Sequence, residues 1–154
     1  MTAVNDVLST LTVDGEVKDL SKVVKQLPVR EGEKAWTAKE VTALADELIA
    51  ERARLEGELA SADADLTDLL RHSGDGAGDD QADSGASALE REHELTLVNN
   101  TRDLLQQTQH ALERLAVGTF GACESCGKPI GKARLQAFPR ATLCVECKQR
   151  EERR

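Results

Sequence analysis

Aromatic side chains are nearly missing from this sequence, which has one Trp, two Phe and no Tyr among 154 residues. Without them a broad globular core is hard to fill, and the stacking platforms of a single-strand nucleic-acid binder are absent. Positive charge is short as well. The net charge of −8 argues against a general duplex-binding surface, because such binding needs Lys and Arg to displace counterions. No run approaches the roughly 18 apolar residues that span a bilayer. The opening "MTAVNDVLSTLTVDGEVKD" has neither the basic region nor the apolar run of a signal peptide. The expectation is therefore a soluble cytoplasmic protein whose four cysteines stay reduced.

What is present is Leu, Ala and charge, with Asp, Glu, Lys and Arg making up 31% of the chain. That composition suits helices packed along a narrow seam. Residues 1–35 read as an N-terminal extension with weak apolar clustering at Val23, Val24, Leu27, Pro28 and Val29. It is either a short helix near "EVKDLSKVVKQL" or without fixed structure, and it carries no recognisable chemistry.

A clear helix start follows at "WTAKEV". Thr37 and Glu40 form a capping box, and Trp36 is placed to pack on Val41 as a hydrophobic staple. Val41, Leu44, Leu48, Leu55, Leu59, Ala62, Leu66 and Leu69 then recur at steps of three, four or seven, with one stutter between Leu48 and Leu59. A helix from about Ala38 to about Arg71 would be roughly 50 Å long. The second helix is expected to begin between Asp83 and Ser87, with Ser87 and Glu90 as a further capping box. Its seam is Leu97, Thr101, Leu104, Thr108, Ala111 and Leu115, reinforced by Val98, Leu105 and Leu112, and it stops at "VGTFG". The fold class is mainly α: a long antiparallel helical hairpin, or coiled coil, over residues 36–118. The acidic, Gly-rich stretch at 74–86 is its tip.

"CESC" (Cys123, Cys126) and "CVEC" (Cys144, Cys147) stand 17 residues apart. Two C-x-x-C turns supply four soft sulfurs for a tetrahedral metal, which points to one structural zinc ion. Four protein ligands leave no open position for an activated water, so the site is structural rather than catalytic. A redox switch on the same thiolates is the other chemistry this sulfur set allows. The intervening "GKPIGKARLQAFPRATL" has turn residues and strand-capable ends. Residues 119–154 thus form a small C-terminal C4 zinc-ribbon module with a short terminal helix. His72, His93 and His110 are scattered, and there is no Gly-rich phosphate loop, so no enzyme is expected.

"GTFGACESCGKPIGKARLQAFPRATLCVECKQREERR", preceded by a hairpin with an acidic tip, resembles the DksA/TraR family of C4 zinc-finger transcription regulators, closest to its actinobacterial members. The resemblance covers about residues 36–154. It implies binding to RNA polymerase as a monomer, with no sequence-specific DNA contact and no membrane. The hairpin would enter the secondary channel, its tip near the catalytic Mg²⁺, and modulate initiation. The family's tip pattern, Asp-x-x-Asp-x-Ala, falls on Asp80, Asp83 and Gly85, with Asp79 beside it. Gly85 replaces the Ala, removing a methyl contact and loosening the helix start.

The family's guanosine tetraphosphate site uses basic side chains. A gapless count from Cys123 places those positions at Asn100, Gln107 and Phe138, and only Lys148 keeps its charge. A tetraphosphate needs several cations, so the expected response is weak or absent. Two rival readings stand beside the regulator. Asp80 and Asp83 would hold a second Mg²⁺ in a Gre-like transcript-cleavage factor. A zinc-ribbon adaptor or DNA-binding protein would leave those acids without a role.

Overall fold

The structure is a computed structural model that describes residues 10–13, 16–73 and 81–154, with side chains described over 22–71 and 85–154. Its elements in chain order are the strands β1 (Thr10–Val13) and β2 (Glu16–Asp19), then the helices α1 (Leu20–Gln26), α2 (Ala38–Ser73), α3 (Gln81–Val117), α4 (Lys132–Ala137) and α5 (Val145–Glu152). The described residues divide into two compact units. One comprises Met1–Ala50 and Thr108–Arg154, the other Glu51–Gln107.

The extension is more structured than its sequence promises. β1 and β2 pair antiparallel, with Thr10 opposite Asp19 and Val13 opposite Glu16. α1 follows at once and takes up "LSKVVKQ", whereas "EVKD", the start of the stretch read as a possible short helix, is β2. Val23 and Leu27, four residues apart on α1 and just past its end, are buried in the core of the first unit. Apolar spacing of four puts both on one helical face, which is why so short a segment can dock.

The start of α2 is the expected capping box. Glu40 N–H donates to Thr37 Oγ1 at 3.2 Å, and Thr37 N–H donates to Glu40 Oε1 at 3.2 Å. Two of the helix's orphan donors are thereby satisfied. Trp36 and Val41 are buried in the same cluster, and the Trp36 ring meets Phe120 edge-on, with centroids 6.5 Å apart.

Burial corrects the reading of the seam in two places. Along α2, Val41, Ala45, Leu48, Arg52, Leu55, Leu59, Ala62, Leu66 and Leu69 are all buried or half-buried at alternating steps of four and three. Arg52 fills the gap between Leu48 and Leu55, and Ala45 sets the same spacing before Leu48, so the heptad is unbroken. Along α3 the buried positions include Val98, Leu105, Thr108, Leu112 and Leu115, with Thr101 half-buried. Leu97 is 42% exposed and lies outside the seam. Leu97 and Val98 are both apolar, and only the facing helix chooses between them. In the first unit, Val41, Leu44 and Leu48 share a core with Ala111, Leu112 and Leu115. In the second, Arg102 approaches Asp63 at 3.8 Å. Rising numbers on one helix meet falling numbers on the other, as an antiparallel hairpin requires.

α3 starts at Gln81, so Ser87 and Glu90 lie inside the helix rather than at its cap. It ends where the sequence indicates. Gly118 takes φ +82, the left-handed conformation that stops a helix, and Thr119 N–H donates back to Arg114 O at 3.0 Å. Beyond it, the expected strand ends reduce to one bridge, Ala122 with Pro129, and the middle of the intervening stretch is α4.

Candidate metal centre and hairpin tip

Two tight turns build the sulfur cluster. In the first, Gly127 N–H donates to Cys123 O at 2.9 Å and Cys123 N–H donates to Lys128 O at 2.8 Å. Gly127 holds φ +77 with nothing near the place a Cβ would occupy, so the turn needs glycine for its backbone rather than for space. In the second, Cys144 is the N-cap of α5, and Lys148 N–H donates to Cys144 O at 2.9 Å. Glu124 N–H bonds Thr142 O at 2.9 Å and joins the two turns.

The four Sγ atoms of Cys123, Cys126, Cys144 and Cys147 lie within 4.8 Å of one another. Cys126 and Cys144 sulfurs stand 3.8 Å apart. Zinc–sulfur bonds of about 2.3 Å in a tetrahedron place sulfurs about 3.8 Å apart, so the cluster fits that ion. The cysteines form no disulfide. Cys123 and Cys147 are buried in the core, and Cys126 is exposed. Burial pushes the Cys123 thiol up, but backbone N–H groups of Cys126, Cys144 and Ser125 outweigh it and bring the value down to about 6. Hydrogen bonding to Cys144 pushes Cys147 the other way, up to about 12. Four crowded thiols cannot all ionise unless a cation compensates them. This donor set takes one structural zinc ion.

A polar clamp that sequence reading missed ties α3 to the first turn. Arg114 is buried, donates to the carbonyl oxygens of Thr119 (2.9 Å) and Ala122, and lies 3.7 Å from Glu124. His110 Nε2 meets the same Glu124 carboxylate. The available signal was one Arg among the apolar residues of "ALERLA".

Asp79 and Asp80, read from the sequence as tip residues, lie outside the described residues. Asp83 is in the first turn of α3. Gly85 is exposed within that helix, and an added Cβ there would meet nothing. The positions aligned with the tetraphosphate site are Asn100 and Gln107, exposed on α3, and Phe138, 64% exposed at the end of α4 with Arg134 above its ring. Lys148 Nζ sits 3.4 Å from Glu151. No described helix is long and apolar enough to cross a membrane.

Comparison with known proteins agrees with this geometry. The model of the prokaryotic dksA/traR C4-type zinc finger matches residues 118–153. The RNA polymerase-binding transcription factor DksA of Caulobacter vibrioides is 44% identical over 75 residues, 49% of this chain and 53% of that protein. Its Escherichia coli K12 counterpart is 42% identical over 64 residues, 40% of this chain and 42% of that protein. The chain thus spans about half the length, or less, of the curated relatives it matches. The structure of transcription factor DksA2 from Pseudomonas aeruginosa superposes with a TM-score of 0.61 at 34% identity, covering 75% of this chain and 84% of that one. A helical hairpin with a tetrathiol cluster, a matching finger and this structural likeness make the chain a member of the DksA/TraR family of C4-type zinc-finger proteins.

Proposed function

We propose that this protein is a non-catalytic transcription regulator that binds RNA polymerase, with Cys123, Cys126, Cys144 and Cys147 holding the zinc that fixes its C-terminal module. The α2–α3 hairpin enters the secondary channel and brings Asp80 and Asp83, with Asp79 and Gly85 beside them, near the catalytic Mg²⁺. There the carboxylates change the stability of initiation complexes.

Charge distribution carries this reading. Glu51–Gln107 holds fourteen Asp and Glu against five Arg, more than the whole net negative charge of the chain. From Ala122 onward the balance reverses, with eight Lys and Arg against four Glu. An acidic end suits a cavity lined by cations and a metal, and the opposite sign elsewhere orients docking. Helices of 36 and 37 residues have a length of about 55 Å, enough for a long reach. The matched relatives are named for binding RNA polymerase.

Competition with a Gre-type factor for purified polymerase tests the reading. The wild-type chain and the double variant Asp80→Asn, Asp83→Asn should compete alike, while only the wild type alters initiation-complex lifetime. No competition, or an unchanged effect of the variant, would refute it. Cleavage of backtracked transcripts by the wild type, lost in the variant, would favour a Gre-like factor instead.

A further inference from the structure

α4 is a helix that cannot stand alone. It has six residues, well short of the roughly 12–15 an isolated helix needs in water. Its N-cap is Gly131, which has no side chain to offer and makes no side-chain cap bond. Glu33, from the segment before α2, supplies the missing acceptor. Lys132 N–H donates to Glu33 Oε2 at 3.0 Å and Oε1 at 3.2 Å, and Arg30 N–H holds the same carboxylate at 2.9 Å.

Further contacts follow along α4. Lys132 Nζ lies 2.6 Å from Glu40 Oε1, 3.4 Å from Ala35 O and 5.6 Å from the Trp36 ring centroid. Gln136 Nε2 donates to Glu40 Oε2 at 2.9 Å. The ends of α4 lead to Cys126 on one side and Cys144 on the other, and its Leu135 is buried in the core that holds Cys123 and Cys147. The two cysteine pairs therefore bracket α4, and α4 is what residues 30–40 grip.

We propose that residues 30–40 form a strap whose docking and the binding of zinc reinforce each other, so that metal loss frees the strap and uncovers Trp36. Linkage makes the effect reciprocal: whatever factor bound zinc adds to strap docking, the docked strap adds to zinc affinity. The proposal concerns this chain alone and does not depend on the polymerase reading.

Trp36 is the sole Trp in a chain without Tyr, and it is 3% exposed, so its fluorescence reports one buried site. The zinc-loaded full chain is titrated with pyridylazoresorcinol while Trp36 emission, released zinc and far-UV circular dichroism are followed. The expected result is a red shift in step with zinc release, with most helicity retained. Glu33→Gln and Lys132→Met, which touch no cysteine, should each weaken zinc affinity in this competition roughly fivefold or more. Arg54→Ala, whose partners Glu51 and Glu58 lie in the other unit, should not. Unchanged Trp36 emission after complete zinc loss would overturn the proposal. So would wild-type zinc affinity in both strap variants, weakened affinity in Arg54→Ala, or a red shift that accompanies general loss of helicity.

Discussion

Glu33 caps a helix whose first residue, Lys132, lies ninety-nine positions away in the sequence. The contact joins the chain just before α2 to the chain after α3, and a second carboxylate, Glu40, grips the same lysine. Neither acid reaches the sulfur cluster, yet both hold the helix that joins its two halves.

Both carboxyls should titrate low. Burial pushes Glu33 up, but N–H groups of Arg30, Lys132 and Ala133 outweigh it and hold it below the ordinary 4.5. Hydrogen bonding from the Lys132 side chain lowers Glu40 in the same direction. A carboxyl depressed in the folded state contributes stability that is complete above its unfolded value and lost as pH falls through the folded value. Carboxyl-carbon NMR titration should give midpoints below 4.5 for both. The stability gap between wild type and Glu33→Gln, from urea unfolding, should be constant near neutrality and shrink below pH 4.5.

Truncating the seam should separate the two candidate faces of α3. Leu112 is fully buried, so Leu112→Ala is expected to cost about 2–5 kcal/mol. Leu97→Ala should cost less than about 0.5 kcal/mol, as an exposed position does. Urea midpoints measure both.

Glycine inside a helix leaves room for improvement. Gly57 sits mid-way along α2 and Gly85 near the start of α3, and an added Cβ meets nothing at either. Gly57→Ala and Gly85→Ala should each raise stability by roughly 0.5–1 kcal/mol. Gly85→Ala also restores the methyl of the family's tip pattern, so it should strengthen the effect on initiation complexes where Gly57→Ala does not.

Calorimetry with guanosine tetraphosphate should detect little binding to the wild-type chain. Gln107→Lys combined with Phe138→Arg returns two basic groups and should tighten binding at least about tenfold.

Local signals were the legible ones. Thr37 and Glu40 are three residues apart, and the cysteine pairs announce a tetrathiol set from their spacing alone. The hairpin was legible because apolar steps of three and four persist over many turns. Its phase was not, since Ala45 and Arg52 occupy seam positions that a count of large apolar residues skips. Glu33 with Lys132 escaped notice for a different reason. Each is an ordinary charged residue in its own neighbourhood, and only the fold brings the two together. Arg114 is similar: its role depends on carbonyl oxygens of Thr119 and Ala122 that no side-chain pattern encodes.

The sulfur cluster has an electrical consequence that runs against intuition. Four thiolates around one divalent ion carry two net negative charges, so taking up a cation makes this module more anionic than its fully protonated form. The metal-loaded chain should focus at a lower isoelectric point than a chain with all four sulfurs alkylated.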